Sequence, residues 1–531
     1  MGVKLMKTNK KLIGVFLAIL SLLLYFNMPV YANATNGTTD YNIFLSIPLE
    51  DSGLEYEVNG DGYATGPTSF AVQGNFIYIL DGEKNKVFIF KDGKKVNDFQ
   101  VKGLLAASDI RVSKNIIYVV DKETKKLASF QQDGKQIALI DLALYSNKGT
   151  LTLDLDKDGN VLLKTGNGSL TKFDKDLKIG SVRQNFFKFN KNSNYKGNLL
   201  LSETGLNIDF NSNELLGSMS LTHIDKSGNL FVTTEELLDV PIITVEQTVK
   251  EYDSKGRLIG TARVPLELYK AHPDRYTDVT EDGVFALVPK ANSIDVVKLN
   301  TITNFTSRMP ELKKEFEKSY KNPESDINKN PSMLAINYLT RSQVENNGYY
   351  INNYNWTLNS NNRKSMSGVT FPDWLSTVNI PYSATGIPYC WGGFDSLNTS
   401  SSSSWSNYGN AMSYGANAGN VYCSGYYKSG TAGLDCSGYV SACFAFTSKW
   451  GTGDFYSNAS LFNDINVSQL GNCDIVVHPT DHIVLWKGAD YGNSDHFFTY
   501  EATTSGLDKC KAYDRYWSSL SGYKCRTYKY Y

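Results

Sequence analysis

The sequence has 531 residues, 41% hydrophobic and 13% aromatic, with 53 basic against 54 acidic side chains. That is more apolar material than one core accommodates, so more than one domain is expected. A formal charge of −1 offers no basic field for a phosphate backbone, and 34 Tyr with 26 Phe are too many aromatics for a disordered chain. Nucleic acid as a partner and disorder as a state are excluded.

Residues 1–34 begin with Lys4, Lys7, Lys10 and Lys11, continue as an apolar run from Leu12 to Phe26, and end in the small residues around Ala32 and Ala34. This is the pattern of a secretory signal peptide, and the run falls short of the roughly 20 residues a spanning helix needs. A secreted product follows, free or loosely wall-associated, with no stable membrane anchor after cleavage.

From about 40 to 300 one short phrase returns, a turn followed by a strand. It appears as Gly74-Asn75-Phe76-Ile77-Tyr78, Lys114-Asn115-Ile116-Ile117-Tyr118, Gly159-Asn160-Val161-Leu162, Gly197-Asn198-Leu199-Leu200, Gly228-Asn229-Leu230-Phe231 and Asp282-Gly283-Val284-Phe285. Second strands ending in acidic-Gly or Lys-Gly turns, such as Phe90-Lys91-Asp92-Gly93, close β-hairpins. The spacing averages about the 40 to 50 residues of a four-stranded blade, which predicts an all-β, six-bladed β-propeller-like domain over 40–300. The repeat resembles the divergent six-bladed propellers of the NHL kind. Asp154, Asp156 and Asp158 are spaced as the start of a calcium loop, but Thr165 stands where the closing acid belongs, so turn chemistry explains them. No charged or aromatic cluster stands out from blade packing, which leaves a binding role for the propeller, toward a glycan or a protein.

Residues 301–334 read as a linker in which Leu312, Phe316 and Tyr320 predict a short helix. Beyond Pro331 the density of charged side chains falls to about half and Tyr, Ser, Asn and Gly rise, as at a domain boundary. All seven cysteines, Cys390, Cys423, Cys436, Cys443, Cys473, Cys510 and Cys525, lie in this second part. In an exported chain the odd number suggests three bridges and one free thiol, with Cys510–Cys525 and Cys390–Cys423 as candidate pairs. Reduced, packed side chains are the alternative, Cys443 falling on an apolar helix face.

The chemistry concentrates at 335–531. Gly433-Leu434-Asp435-Cys436-Ser437-Gly438 runs from a glycine loop into an apolar helical pattern, which puts Cys436 in a first turn, where the helix dipole favours a thiolate. Downstream, Cys473 to His478, the turn Pro479-Thr480-Asp481, and His482 to Trp486 read as a hairpin, and Phe497 to Ala502 as a further strand carrying Glu501. A thiol, an imidazole and an orienting carboxylate form the set that amide hydrolysis by a nucleophile requires. His478 and His496 read as loop or strand-end residues. Zinc is disfavoured because no Cys-x2-Cys pair appears and His478 and His482 flank a proline turn; no metal and no cofactor is expected.

Together, Tyr389-Cys390-Trp391-Gly392-Gly393, Asp435-Cys436-Ser437-Gly438, Asp474-Ile475-Val476 leading to His482-Ile483-Val484-Leu485, and Tyr500-Glu501-Ala502 resemble, in order and spacing, the NlpC/P60 branch of papain-like cysteine hydrolases. The resemblance covers about 335–531. It implies an α+β papain-like domain in which Cys436 is the nucleophile, His482 the base and Glu501 the orienting group, with Tyr389, Trp391, Gly392, Asp435 and Ser437 toward substrate. It further implies peptidoglycan stem peptides as the cell-wall substrate.

Three departures accompany it. The family's third position usually carries His, Asn or Gln, where this chain has Glu501; an amide at 501 would then orient the ring as well. A Gly-Asp pair usually opens the strand before the histidine, where this chain has Cys473-Asp474. A Ser-, Tyr- and Asn-rich insert occupies 398–431. Readings that compete with a stem-peptide endopeptidase are an N-acetylmuramoyl-L-alanine amidase or another thiol amide hydrolase or acyl transferase, and a surface binding protein with an inactive peptidase fold.

Overall fold

The computed structural model describes residues 40–531 apart from 55, 59–63, 144–150, 167, 321–337, 423–424 and 490–495. The segment expected to be a signal peptide, residues 1–34, and Cys423 therefore lie outside the described residues. Among the described residues no helix is long and apolar enough to cross a membrane.

Six antiparallel sheets follow one another along 41–299: 69–100, 107–141, 151–183, 187–211, 215–263, and 277–299 completed by the strand Tyr41–Pro48. We number them blades one to six. Apart from the three-stranded fourth, each has four strands in sequence order, the last blade borrowing its outermost from the beginning of the chain. This is a β-propeller-like arrangement closed by pairing Tyr41–Pro48 with Ser293–Leu299. Its strands are the apolar runs of the repeated phrase, buried on both faces, as in Phe76–Asp81 and Ile116–Asp121. The turns carry the residues that their backbone demands: Lys114 and Asn115 both have positive φ, 49° and 66°, as a two-residue I′ turn requires. Burial falls from inner to outer strands, from Ala107–Ser113, the innermost of blade two and buried throughout, to Ile179–Arg183, the outermost of blade three and exposed throughout.

The ring departs from equal blades. Inner strands touch in the order six, one, two, three and then five. The three-stranded fourth sheet packs beside this ring, where Phe187, Leu199 and Phe210 share a core with Leu170 of blade three and Met219 of blade five.

After helix Met309–Ser319, the second half is α+β. A six-stranded antiparallel sheet runs in the order Phe462–Asp464, Lys524–Tyr528, Ile475–Val477, Ile483–Ala489, Phe497–Thr503, Lys509–Arg515. Helix Cys436–Cys443 lies against two of its central strands and against helix Arg341–Asn352. The latter is started by a capping box in which Thr340 and Gln343 satisfy each other's amides.

Asp40–Tyr531 forms one compact unit, not two separate bodies. Leu215, Leu237, Ile243 and Val245 of blade five share a core with Val476, Val484, Trp486, Phe497 and Trp517 of the second half. Backbone bonds cross the seam from Ile243 N to Tyr523 O and from Cys525 N to Pro241 O, both 2.8 Å. Buried Glu235 accepts the amides of Trp517 and Ser518 at 3.1 and 2.9 Å.

The disulfide expectation does not hold: the six described cysteines, Cys510, Cys525 and Cys390 among them, are buried thiols without a bridge. They sit where apolar side chains sit, and burial pushes Cys473 up to about 12 and raises Cys510 well above the ordinary thiol range. Alkylation of the unfolded chain without reductant is therefore expected to label all six, and mass spectrometry would find no pair protected. Trp517→Ala, which empties the seam, is expected to cost about 3 kcal/mol and to leave one cooperative calorimetric transition for both halves.

Candidate active site

Asp435 caps helix Cys436–Cys443, its Oδ1 accepting from Gly438 N at 2.7 Å and from Ser437 Oγ at 3.2 Å. Lys449 pairs with the other oxygen at 2.9 Å. Both Asp435 and Ser437 are thus committed to starting the helix, and Cys436 is its first residue. Gly438 has no room for a side chain, since an added Cβ would lie 2.1 Å from Gly393 O. The Trp391-Gly392-Gly393 turn is seated on that glycine. Gly392 has φ 70°, and a Cβ there would meet Tyr427 N at 2.7 Å. Tyr389 is buried and bridges to Leu434, while the half-buried Trp391 donates from Nε1 to Gly425 O at 3.0 Å.

His482 ends the turn of the hairpin between Ile475–Val477 and Ile483–Ala489, its carbonyl accepting from His478 N at 2.9 Å. Cys473 has φ 66°, in the left-handed region that glycine adopts most readily. Glu501, on the next strand, has no exposed surface and lies 2.7 Å from His482 Nε2. Arg515 grips the same carboxylate from both sides, Nε to Oε1 at 2.8 Å and Nη2 to Oε2 at 2.5 Å, and Thr499 Oγ1 donates to Oε1. Burial pushes the Glu501 carboxyl up, but the charge and hydrogen bonds of Arg515, with those of His482, outweigh it and hold the group well below the ordinary carboxylate range. The structure thus joins His482 to Glu501, and lays the Cys436 helix against the strands that follow His482 and carry Glu501. Cys436 and His482 are 1% and 2% exposed, so the pair lies beneath the surface.

Arg515 is the residue that the sequence reading passes over. Lys511, Tyr513 and Arg515 alternate on the strand facing Glu501, which is the signal that was there to find. It also makes position 501 charge-specific, because a neutral amide would leave the guanidinium uncompensated. On its far side Arg515 lines a cavity of about 110 Å³ between the halves, opposite His272, Lys122 and Asp274 of the propeller. Burial, then the Arg515 charge, push the His272 imidazole down to about 4.

The insert is organised by another unpredicted residue, buried Asp395, which accepts from Ser401 N, Ser401 Oγ and Trp405 Nε1 at 2.8 to 2.9 Å. In the propeller, contrary to the sequence reading, charged side chains do cluster on the axis: Asp109, Arg111, Asp154, Lys164 and Asp278 are all buried. Asp154 is held by His223 Nδ1 at 2.8 Å and Lys164 Nζ at 3.4 Å, and Asp156 is bound within its turn by Asn160 and paired with Lys172. Those partners account for Asp154 and Asp156.

No protein-family model matches the chain, and no curated protein matches it. Among solved structures it is similar to virginiamycin B lyase from Staphylococcus aureus (12% identity, 46% of this chain and 98% of that one, TM-score 0.29). It is also similar to a DUF4221 protein from Bacteroides vulgatus (12%, 50% and 98%, TM-score 0.31) and to BamB from Moraxella catarrhalis (12%, 49% and 100%, TM-score 0.27).

Because the Glu501 carboxyl is depressed, its stabilisation is complete above the unfolded range near pH 4.3 and is lost as pH falls below it. Arg515→Met is expected to cost about 3 to 5 kcal/mol at pH 7, and less at pH 4, where a protonated Glu501 no longer needs a countercharge. Urea unfolding at the two pH values measures both.

Proposed function

We propose that residues 335–531 form a thiol hydrolase of the NlpC/P60, papain-like kind that cleaves peptide bonds in the stem peptides of peptidoglycan outside the cell. The observation that carries this reading is the buried His482–Glu501 contact of 2.7 Å beside the helix that Cys436 opens. With Nε2 hydrogen-bonded to Glu501, His482 takes the thiol proton at Nδ1. The thiolate then attacks the amide carbonyl, and the oxyanion falls to amides of the first helical turn ahead of Gly438, whose own N–H the cap uses. The imidazolium returns its proton to the leaving amine, giving a thioester that water, deprotonated by His482, cleaves to the acid and the free thiol. Glu501 stabilises the imidazolium, and Arg515 keeps Glu501 ionised throughout. Tyr389, Trp391 and Gly392 form the wall next to the thiol's helix on the substrate side.

A second reading, a binding protein with a silent peptidase fold, is favoured by one observation, the burial of Cys436 and His482. The deciding experiment is a digest of purified muropeptides by the full chain. Cys436→Ala and His482→Ala are expected to abolish turnover, the first at unchanged melting temperature and the second with some loss of stability but a folded chain, and fragment masses name the bond. Cutting by wild type that persists in Cys436→Ala, or after iodoacetamide, overturns the thiol mechanism. No cutting by wild type favours the silent fold, and release of intact stem peptide identifies an amidase.

A further inference from the structure

The insert of 398–431 is nearly without charge. Lys428 is its one charged side chain, while Ser, Thr, Asn and Tyr supply hydroxyls and amides throughout. From outside the insert, Lys364 Nζ donates to Gly415 O at 2.9 Å, and the Asp395 carboxylate is occupied by Ser401 and Trp405.

The tip of the insert is pinned beside the helix that Cys436 opens. Trp391 N donates to Asn420 O at 2.8 Å and Trp391 Nε1 to Gly425 O at 3.0 Å. Tyr427 lies against Gly392, in the turn that is seated on Gly438. Asn420, 1% exposed, accepts Tyr422 N at 3.1 Å and Thr370 N at 3.0 Å on the same oxygen. Two rings of this pinned segment nonetheless stand in solvent, Tyr426 being 96% exposed and Tyr422 46%. An exposed tyrosine on a fixed backbone offers a large contact area at small entropic cost, which is the economy of a binding loop.

The composition selects the ligand. Peptides bring charged ends and side chains, which bind best to countercharges, and the insert offers the single ammonium of Lys428. An N-acetylated sugar brings no charge. Its C–H face packs on an aromatic ring, and its hydroxyl and acetamido groups exchange hydrogen bonds with hydroxyl and amide side chains.

We propose that the tip of the insert, through Tyr422 and Tyr426, binds uncharged N-acetylated sugars, so that the glycan to which a stem peptide is attached is held beside the thiol. That the sugar lies next to a cut bond rests on the peptidase reading; the sugar binding itself does not.

Calorimetric titration of full-length Cys436→Ala protein with triacetylchitotriose, an uncharged trisaccharide of N-acetylglucosamine, tests it. Binding at millimolar concentration or tighter is expected, and maltotriose, which lacks the acetamido groups, is expected to bind more weakly. Tyr422→Ala and Tyr426→Ala are each expected to weaken the trisaccharide roughly three- to tenfold at unchanged melting temperature, and Tyr426→Trp to preserve binding. Absence of trisaccharide binding, or binding that the double alanine variant leaves unchanged, overturns the proposal. A sugar-free stem peptide that binds more tightly than the trisaccharide, and is lost in the double variant, makes the tip a peptide surface and overturns it too. Trisaccharide binding by a chain that cuts no muropeptide upholds this inference and removes only the peptidase reading, whereas cutting without trisaccharide binding removes only this inference.

Discussion

A carboxylate with no exposed surface is costly to keep ionised, and Glu501 is kept so by the two-pronged grip of Arg515. The rest of the site follows from that pair. An ionised Glu501 accepts a hydrogen bond from Nε2 of His482 and so fixes the orientation of the ring. Thr499, two residues back on the same strand face, uses a further lone pair of the carboxylate. Strand alternation therefore delivers Thr499, Glu501, Tyr513 and Arg515 to one surface, and that surface is closed from the other side by the propeller.

The closure makes the two halves one body. Blade five supplies apolar side chains to the core under the Phe497–Thr503 strand, and Glu235 receives the amides of Trp517 and Ser518 just beyond Arg515. The propeller thereby fixes the segment that positions Arg515. His272 completes the arrangement from the propeller side: held neutral by burial and by the nearby guanidinium, it adds no second positive charge against Arg515.

Much of this is legible in the sequence where local rules decide the outcome. Asp435 to Gly438 is a cap followed by an apolar run, and Pro479 to Asp481 is a turn between two β-branched runs. The repeated Gly-Asn phrase marks hairpins because few other residues tolerate those backbone angles. What escapes is set by distance along the chain. Lys509, Lys511 and Arg515 look like the solvent side of a strand until the propeller covers them. Asp109, Asp154 and Asp278 sit on three different blades and become neighbours only when the ring is complete. The thiols escape for a different reason: pairing was inferred from the compartment, whereas each cysteine here is packed as a small apolar side chain.

The strand Tyr41–Pro48 is the outer edge of a sheet whose other members end at Leu299. Its partner is synthesised only after five intervening sheets, so during synthesis an early segment must wait, unpaired, for a late one. Contacts of such long sequence separation form slowly and leave an open strand edge in the meantime. Closure of the ring thus waits on the meeting of its two most distant propeller segments, and the slow step of its folding is expected there.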